Sequence, residues 1–346
     1  MGDSQTADTL NAVILRIQRL STEDGPGIRS TVFFKGCPLT CLWCHNPESI
    51  SPHPQVHWVK TRCIGCRTCL ETCEHKALEF TNDGLHIDRN LCTDCLSCTS
   101  SCPSTALESF GRQWALDELL HEVLKDRVYF ETSLGGITIS GGEPAMQAPF
   151  AEAFLKALKE EGIHTALDTC GQCTEKSLAR LARHTDLVLF DLKEIDPARH
   201  KGFTGAGNER ILHNLVFLAR QMRSGGSPGE LWVRTPLIPG YTATRENMEG
   251  IGGFIADNLC DVISRWELCS FNNLCTHKYE ELGLAWACRD LKLMSEEELE
   301  HFAEIAKGSG VDPSIVHASG PTRVPSGVEA ESRSSSTGLM DDEVRT

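Results

Sequence analysis

The chain has 346 residues, of which 40% are hydrophobic, and this length predicts one large domain accompanied by a smaller one. Its formal net charge of −15 disfavours binding to nucleic acid or to an anionic membrane, since both require a basic protein face. The sequence has no apolar run of transmembrane length and no export signal, so we expect a cytoplasmic protein in which many of the 17 cysteines are metal ligands rather than disulfides.

Strands and helices are predicted to alternate along most of the chain. The predicted strands are residues 13–19, 31–35, 136–140, 164–169, 186–192, 231–237 and 263–269. The predicted helices are residues 116–125, 151–160, 174–183, 207–222, 245–258 and 295–307, with Ser295 at the last N-cap. Such alternation implies an α/β fold with a parallel sheet. About six units favour an incomplete (β/α)6 barrel, and a doubly wound sheet is the alternative; both bind ligands at the C-terminal ends of strands.

Three short runs hold eleven of the 17 cysteines. The first run, Cys37-x3-Cys41-x2-Cys44, follows the predicted strand 31–35. The other two have the spacing of paired [4Fe–4S] clusters, and they are Cys63-x2-Cys66-x2-Cys69-x3-Cys73 and Cys92-x2-Cys95-x2-Cys98-x3-Cys102. Three thiolates leave one iron of a [4Fe–4S] cluster open, so the first run indicates a catalytic cluster, with a zinc site as the alternative.

The two four-cysteine runs lie in an internal repeat within residues 51–110. We interpret this segment as a ferredoxin-like module with two [4Fe–4S] clusters, inserted into a domain formed by residues 1–50 and 111–320. The fourth cysteine of each run is expected to bind the other cluster, so Cys102 joins the first run and Cys73 joins the second. Zinc is the alternative metal for this module. Residues 321–346 are predicted to be disordered because they are rich in Ser, Gly and charge.

The first run, extended as GCPLTCLWCHNPES, resembles the C-x3-C-x2-C cluster motif of radical S-adenosylmethionine (SAM) enzymes. The flanking segments 24–29 (DGPGIR) and 45–48 (HNPE) narrow this resemblance to the activating enzymes of glycyl radical enzymes, which include the pyruvate formate-lyase activator. The paired-cluster insert is similar to that of the longer members. The resemblance extends over most of residues 13–310 and implies an incomplete radical SAM barrel.

The resemblance implies the following chemistry. Cys37, Cys41 and Cys44 would hold a [4Fe–4S] cluster whose open iron binds the amino and carboxylate groups of SAM. An electron from a flavodoxin or ferredoxin would cleave SAM to methionine and a 5′-deoxyadenosyl radical. This radical would take a hydrogen atom from the C-terminal glycine loop of a large partner enzyme. A monomer is expected, and no general acid or base is required.

The resemblance also assigns candidate SAM contacts, most of them at predicted strand ends. These are Trp43, His45, Gly141, Gly142, Glu143, Asp168, Asp191, Lys193, Arg234 and Asn272. A strand-end salt bridge is the alternative role for Asp191 and Lys193. Asn272 stands where family members often have histidine, and it is expected either to bind the adenosine part or to cap the strand. Cys170 and Cys173, although spaced as in a thioredoxin motif, are predicted to be buried thiols.

Two other functions fit the sequence. One is a radical SAM enzyme acting on another peptide or a small molecule. The other is an electron carrier in which a ferredoxin bears a large additional domain. The position of the insert directly after the first cysteine run disfavours the sulfatase-maturation type of enzyme, whose additional cysteines come mainly after the barrel.

Overall fold

The computed structural model describes residues 10–323 of the chain. These residues form a large α/β unit and a smaller segment with its own core. The predicted disordered tail, residues 321–346, lies outside the described residues except for its first three positions. Within residues 10–323, no helix is both long and apolar enough to cross a lipid bilayer.

Thirteen strands and eleven α-helices occur in the described part of the chain. The strands are β1 (Asn11–Ser21), β2 (Arg29–Phe34), β3 (Gln55–Trp58), β4 (Leu78–Thr81), β5 (Gly84–Ile87), β6 (Leu107–Phe110), β7 (Arg112–Ala115), β8 (Gly136–Gly141), β9 (His164–Thr169), β10 (Leu187–Asp191), β11 (Glu230–Leu237), β12 (Ile263–Ser270) and β13 (Val316–Ser319). The helices are α1 (Thr68–Thr72), α2 (Ser97–Ser100), α3 (Leu116–Leu124), α4 (Arg127–Ser133), α5 (Ala148–Glu160), α6 (Glu175–Ala182), α7 (Pro197–Thr204), α8 (Glu209–Arg223), α9 (Arg245–Asn258), α10 (Thr276–Leu282) and α11 (Glu296–Lys307).

Nine of the described strands form one sheet in the order β13-β12-β11-β10-β9-β8-β2-β1-β7. The seven neighbouring strands from β13 to β2 run parallel, whereas β1 and β7 extend the other edge in antiparallel pairing. The predicted α/β fold with a mostly parallel sheet is therefore confirmed. The structure has one parallel strand more than the six predicted units, because β13 has only four residues and too short a pattern to recognise.

The helix predicted over residues 207–222 begins at Glu209, and a separate helix, α7, precedes it. The carboxylate of Asp196 accepts a hydrogen bond from the backbone N–H of Arg199 at 2.8 Å, and Pro197 occupies the first turn. An N-cap Asp followed by Pro is a helix-start signal that the sequence contains. The predicted start of α11 is confirmed by a capping box between Ser295 and Glu298.

The main core lies between this sheet and the helices that follow its strands. Helix α5 contributes Phe154, Leu155 and Leu158, which have no exposed surface, and they belong to the same cluster as Ile139 of β8 and Leu167 of β9. Burying each such side chain stabilises the fold by roughly 1.5–3 kcal/mol. The helices therefore cover the sheet from one side. The C-terminal ends of its strands lie outside this core and carry polar residues.

Residues 51–110 fold around a second core formed by Val56, Cys69, Leu85, Cys98 and Leu107. Strands β3 and β6 pair in antiparallel fashion and bring the two ends of the segment together. The two halves of the sequence repeat also match in backbone conformation. The residues before the short helices α1 and α2 are both left-handed, with φ of 64° and 63°. We call this segment the insert.

Candidate functional site

A cavity of about 870 Å³ lies at the C-terminal ends of the parallel strands. Its walls include Cys37 after β2, Asp168 of β9, Arg234 of β11 and Ser319 of β13. Strands in a sheet lie about 4.8 Å apart, so seven parallel strands in a flat sheet would place β2 and β13 about 29 Å from each other. Since residues of both strands border one cavity, the sheet must curve into an open trough. This is where parallel α/β folds bind ligands.

The first cysteine run forms a loop that is held by backbone hydrogen bonds on both sides. The N–H of Cys37 donates to Ile50 O at 3.1 Å, which ties the start of the loop to the segment that follows it. The N–H groups of Thr40 and Leu42 donate to the end of α7, at 2.8 and 3.0 Å. This anchoring directs the side chains of Cys37, Cys41 and Cys44 to the same cavity.

Burial favours the neutral form of two of the three thiols, Cys41 and Cys44. Burial raises the pKa of Cys41 to about 11, and burial raises the pKa of Cys44 as well. A hydrogen bond with Cys170 lowers the pKa of Cys37 against the opposing effect of burial. Buried thiols become thiolates when a metal centre compensates their charge. Three cysteines at one cavity are the donor type that an iron–sulfur cluster takes.

Gly141 and Gly142 form the wall next to the cysteine loop. Gly141 has φ +105°, and a Cβ on Gly142 would lie 2.1 Å from Gly36 O. The close approach allows Gly142 N–H to donate to Phe34 O at 2.9 Å and Glu143 N–H to donate to Gly36 O at 2.7 Å. Only glycine permits this contact, so the Gly-Gly pair joins β8 directly to the start of the cysteine loop.

Of the ten predicted SAM contacts, nine border the cavity. They are Trp43, His45, Gly141, Gly142, Asp168, Asp191, Lys193, Arg234 and Asn272. The tenth, Glu143, has no exposed surface and lies behind the wall. Its carboxylate accepts hydrogen bonds from Ala145 N–H at 3.1 Å, from Cys170 N–H at 2.9 Å, and from the Thr169 hydroxyl and Cys170 thiol. Glu143 thus fixes the loop after β9, and its contact with a ligand stays a prediction.

Two cations and two carboxylates face one another across the cavity. Lys193 Nζ lies 2.5 Å from Asp191 Oδ2, while Arg234 lies 3.9 Å from Asp168 and 3.2 Å from Glu267. Burial, reinforced by the Asp191 charge, raises the pKa of Asp168 to about 7. The Nε of Arg234 is buried without a hydrogen-bond acceptor in suitable geometry. A set of opposite charges at one cavity suits a zwitterionic ligand.

His45 and Asn272 meet at another part of the cavity wall. His45 Nε2 lies 2.9 Å from the backbone O of Asn272, and burial lowers the pKa of this imidazole. The side-chain Oδ1 of Asn272 accepts from Leu274 N–H at 3.2 Å, as expected for a cap after the strand. Lys278 Nζ donates to His45 O at 2.7 Å and lies 3.1 Å from the buried Glu48 carboxylate. These contacts fix the HNPE segment against α10.

Trp43 is buried among aromatic side chains that follow β12. Its cluster includes Ile238, Phe271, Tyr279 and Trp286. Tyr279 OH donates to Cys44 O at 2.9 Å, and Trp286 Nε1 donates to Leu42 O at 3.0 Å. Trp43, Ile238 and Phe271 also border the cavity, so the aromatic cluster both anchors the cysteine loop and supplies an apolar wall.

The insert cysteines border two further, small cavities in the crossed combination that the sequence predicts. Cys63, Cys66, Cys69 and Cys102 line one of them. Cys73, Cys92, Cys95 and Cys98 line the other. Each cavity therefore collects three cysteines from one half of the repeat and one from the other half.

Some residues of the site were missed by sequence reasoning. Cys170 was predicted to be a buried thiol, and it is buried; however, it also borders the large cavity and contacts Glu143 at 3.0 Å. Cys269, Glu267 and Ser140 supply further polar atoms at or beside the cavity. The available signal was their position at strand ends, equivalent to that of Asp168.

Known proteins resemble the chain in both sequence motif and length. Residues 31–249 match the family model of the radical SAM superfamily. The chain is 38% identical to the trans-4-hydroxy-L-proline dehydratase activating enzyme of Clostridioides difficile, over 88% of this chain and 99% of that protein. It is 38% identical to the (2S)-3-sulfopropanediol dehydratase activating enzyme of Klebsiella oxytoca, over 85% and 93% of the two chains. It is 35% identical to the pyruvate formate-lyase 2-activating enzyme of Escherichia coli (strain K12), over 88% and 92%.

Proposed function

The chain belongs to the radical SAM superfamily and, within it, to the activating enzymes of glycyl radical enzymes, and we propose that the large cavity is its active site. An enzyme of this class uses a [4Fe–4S] cluster and SAM, and it abstracts a hydrogen atom from a glycine of its partner enzyme. The observation that carries the assignment of the site is the convergence of Cys37, Cys41 and Cys44 on the cavity that also holds charged side chains at the ends of β9, β10 and β11.

Cys37, Cys41 and Cys44 would hold the cluster of the active site. When bound, this cluster supplies the electron that breaks the S–C5′ bond of SAM, giving methionine and a 5′-deoxyadenosyl radical. The protein's contribution is to bind and orient SAM and to keep water from the radical. Trp43 and the aromatic cluster behind the cysteine loop serve the second purpose, because they close that side of the cavity with apolar surface.

We infer that the charged groups of the cavity bind the two ends of the amino acid part of SAM. The carboxylate of SAM is assigned to Arg234, whose guanidinium borders the cavity and whose Nε, although 3.2 Å from Glu267 Oε2, makes no hydrogen bond in the protein, with Lys193 as the second cation. The ammonium is assigned to the backbone carbonyls near Gly141 and Gly142. Asp168 and Asp191 border the same cavity and would bind hydroxyl or ammonium hydrogens. The adenine ring would lie against the apolar wall that includes Ile238 and Phe271.

The partner enzyme is proposed to present its glycine loop at the mouth of this cavity. Leu274 borders the cavity and yet is 76% exposed, which suits contact with another protein. Glu23, in the segment before β2, lies on the rim as well. Relatives of equal identity are named for different target enzymes, so identity alone does not assign the target of this chain. A monomeric state and a cytoplasmic location stay predictions.

We further infer that residues 51–110 are a module with two [4Fe–4S] clusters, for a total of three in the chain. The support is the crossed grouping of four cysteines around each small cavity, which matches the ligand exchange between paired clusters. Cys63, Cys66, Cys69 and Cys102 would hold one cluster, and Cys73, Cys92, Cys95 and Cys98 the other. Residues 1–50 and 111–320 would form the catalytic domain around them.

The proposed function is tested by anaerobic turnover of the reconstituted protein. Dithionite and SAM are added, and 5′-deoxyadenosine and methionine are quantified. We expect equal amounts of both products, and no product from the Cys41→Ala variant although that variant keeps the iron of the two insert clusters. Absence of SAM cleavage by unmodified protein that contains about twelve irons per chain, the content of three such clusters, would contradict the proposal. Zinc in place of iron in the insert would contradict the three-cluster assignment.

A further inference from the structure

The two halves of the insert differ in their surroundings, although they are related by the sequence repeat. In the second half, Arg89 donates to Val56 O at 2.6 Å and to Glu281 O, which belongs to α10. Asp94 accepts from Val56 N–H at 3.0 Å, and its charge acts on Lys35, which lies two residues before Cys37. The second half is therefore turned towards the large unit and its cysteine loop.

The first half is turned towards solvent. Within residues 10–323, the hydrogen bonds and ion pairs of residues 60–76 go only to other insert residues, such as the pair between Arg62 and Glu108. Ile64 is 69% exposed, and the neighbouring Cys66 is an exposed thiol. An edge of the cavity formed by Cys63, Cys66, Cys69 and Cys102 is thus accessible to a second protein.

The two halves of the insert also differ in their charge. Residues 60–76 contain four basic and two acidic residues, whereas the matching residues 89–105 contain one of each. Three of the basic residues, Lys60, Arg62 and Arg67, flank Ile64 and Cys66 in sequence, and all three are exposed. We call these three the basic rim. In the described part of the chain, Lys60 and Arg67 have no ion pair, and Arg67 lies over the Phe80 ring. With four basic and two acidic residues, residues 60–76 carry a net charge of +2 in a chain whose net charge is −15.

We propose that the basic rim around Ile64 is the docking surface for an acidic one-electron carrier protein of the flavodoxin or ferredoxin type. This inference rests on the proposed function and names the place where the activating electron enters. Complementary charge would guide the carrier, and Ile64 would supply the small apolar contact typical of transient electron-transfer complexes. One electron leaves the reduced carrier and enters the insert at the Cys66 side, and no bond is made or broken. The second half then lies between this entry point and Cys37.

The test uses the holoenzyme and a bacterial flavodoxin as the probe. The double variant Lys60→Glu/Arg67→Glu reverses the two unpaired charges of the basic rim. The control, Lys176→Glu/Lys292→Glu, makes the same change of net charge at two exposed lysines far from the insert in sequence, which have no ion pair within residues 10–323. Iron content and the EPR spectrum of each variant confirm that its clusters are intact. Affinity is measured by calorimetry with oxidised flavodoxin at low and high salt.

We expect the rim variant to weaken flavodoxin binding about tenfold at low salt, and the control to change it less than twofold. SAM cleavage driven by reduced flavodoxin should fall in the rim variant, while cleavage driven by dithionite stays unchanged. If the two variants change flavodoxin affinity equally, or if the rim variant leaves it unchanged, docking occurs elsewhere, for example at the cavity mouth, and the proposal is overturned. So would a failure of both flavodoxin and a two-cluster ferredoxin to bind the unmodified chain. A failure of dithionite-driven cleavage in the unmodified chain would instead refute the proposed function.

Discussion

Replacing Gly142 with alanine tests the link between β8 and the cysteine loop. The new Cβ would lie 2.1 Å from Gly36 O and 3.0 Å from Ser49 O, both of them backbone atoms. A carbon and a carbonyl oxygen are in contact at about 3.3 Å, so the two backbones must separate by about 1.2 Å. That movement breaks the hydrogen bonds from Gly142 N–H to Phe34 O and from Glu143 N–H to Gly36 O.

The expected cost follows from those two bonds. Each contributes about 1 kcal/mol, and the buried groups left without partners add at least as much again, for a total of about 4 kcal/mol. For a chain of 346 residues, such a loss lowers the melting temperature by roughly 5–6 °C. Because Gly36 precedes Cys37, we also expect loss of iron from the active-site cluster and a large decrease in 5′-deoxyadenosine formation.

Gly253→Ala is the matched control, since it makes the same chemical change in helix α9, where nothing lies within 4 Å of the new Cβ. Alanine favours the helix by up to about 1 kcal/mol, so this variant should melt at the same temperature or slightly higher. Both melting temperatures are measured by calorimetry on the reconstituted protein. If Gly142→Ala melts within 1–2 °C of Gly253→Ala and retains its cluster, the inferred role of the glycine contact is wrong.

Three further predictions concern the cavity. Glu143→Gln should lower the melting temperature and abolish SAM cleavage, because an amide places an NH2 group against at least one of the N–H donors that the carboxylate now satisfies. Asp168→Asn should flatten the pH dependence of stability. The pKa of Asp168 is raised to about 7, so the folded state keeps a proton that the unfolded state releases, and its contribution to stability is lost as the pH rises from about 4 to 7. Melting curves at pH 5 and pH 8, with Asp257→Asn on the exposed surface as control, measure this slope, and an unchanged slope would contradict the assignment. Cys170→Ala should lower the melting temperature, since it removes the thiol that donates a hydrogen bond to the buried Glu143 carboxylate at 3.0 Å; an unchanged melting temperature would refute this.

Much of the fold was predictable because its signals are local. Alternating apolar strands and amphipathic helices identified β8 to β12 and the helices α5, α6, α8 and α9, and the bounds of β9 and α9 are those predicted. Other elements lacked such a signal, and β13 and α7 are two examples. β13 is only four residues long, and it depends on pairing with β12. Helix α7 has no clear apolar face, so its only signal was the cap at Asp196.

The candidate site was predictable where the spacing of residues along the sequence identifies the ligands. The positions of Cys37, Cys41 and Cys44, and the crossed grouping of the insert cysteines, follow from spacing and from the repeat. Contacts between distant segments were not predictable. The proximity of Cys170 to Cys37 depends on how β9 and β2 curve around β8, which no sequence pattern expresses. The inward position of Glu143 depends likewise on donors from β9 and the residue that follows it.

The central claim is that Cys37, Cys41 and Cys44 hold a cluster with one iron open to SAM inside this cavity. It is tested most directly by pulsed EPR on the reduced enzyme with SAM labelled with ¹⁵N at its amino group. The account predicts a magnetic coupling between the label and the reduced cluster, and it predicts that this coupling disappears in the Cys41→Ala variant while the signals of the insert clusters remain. A reduced unmodified enzyme that binds SAM without any coupling to the label, or a coupling that survives the loss of Cys41, would contradict it.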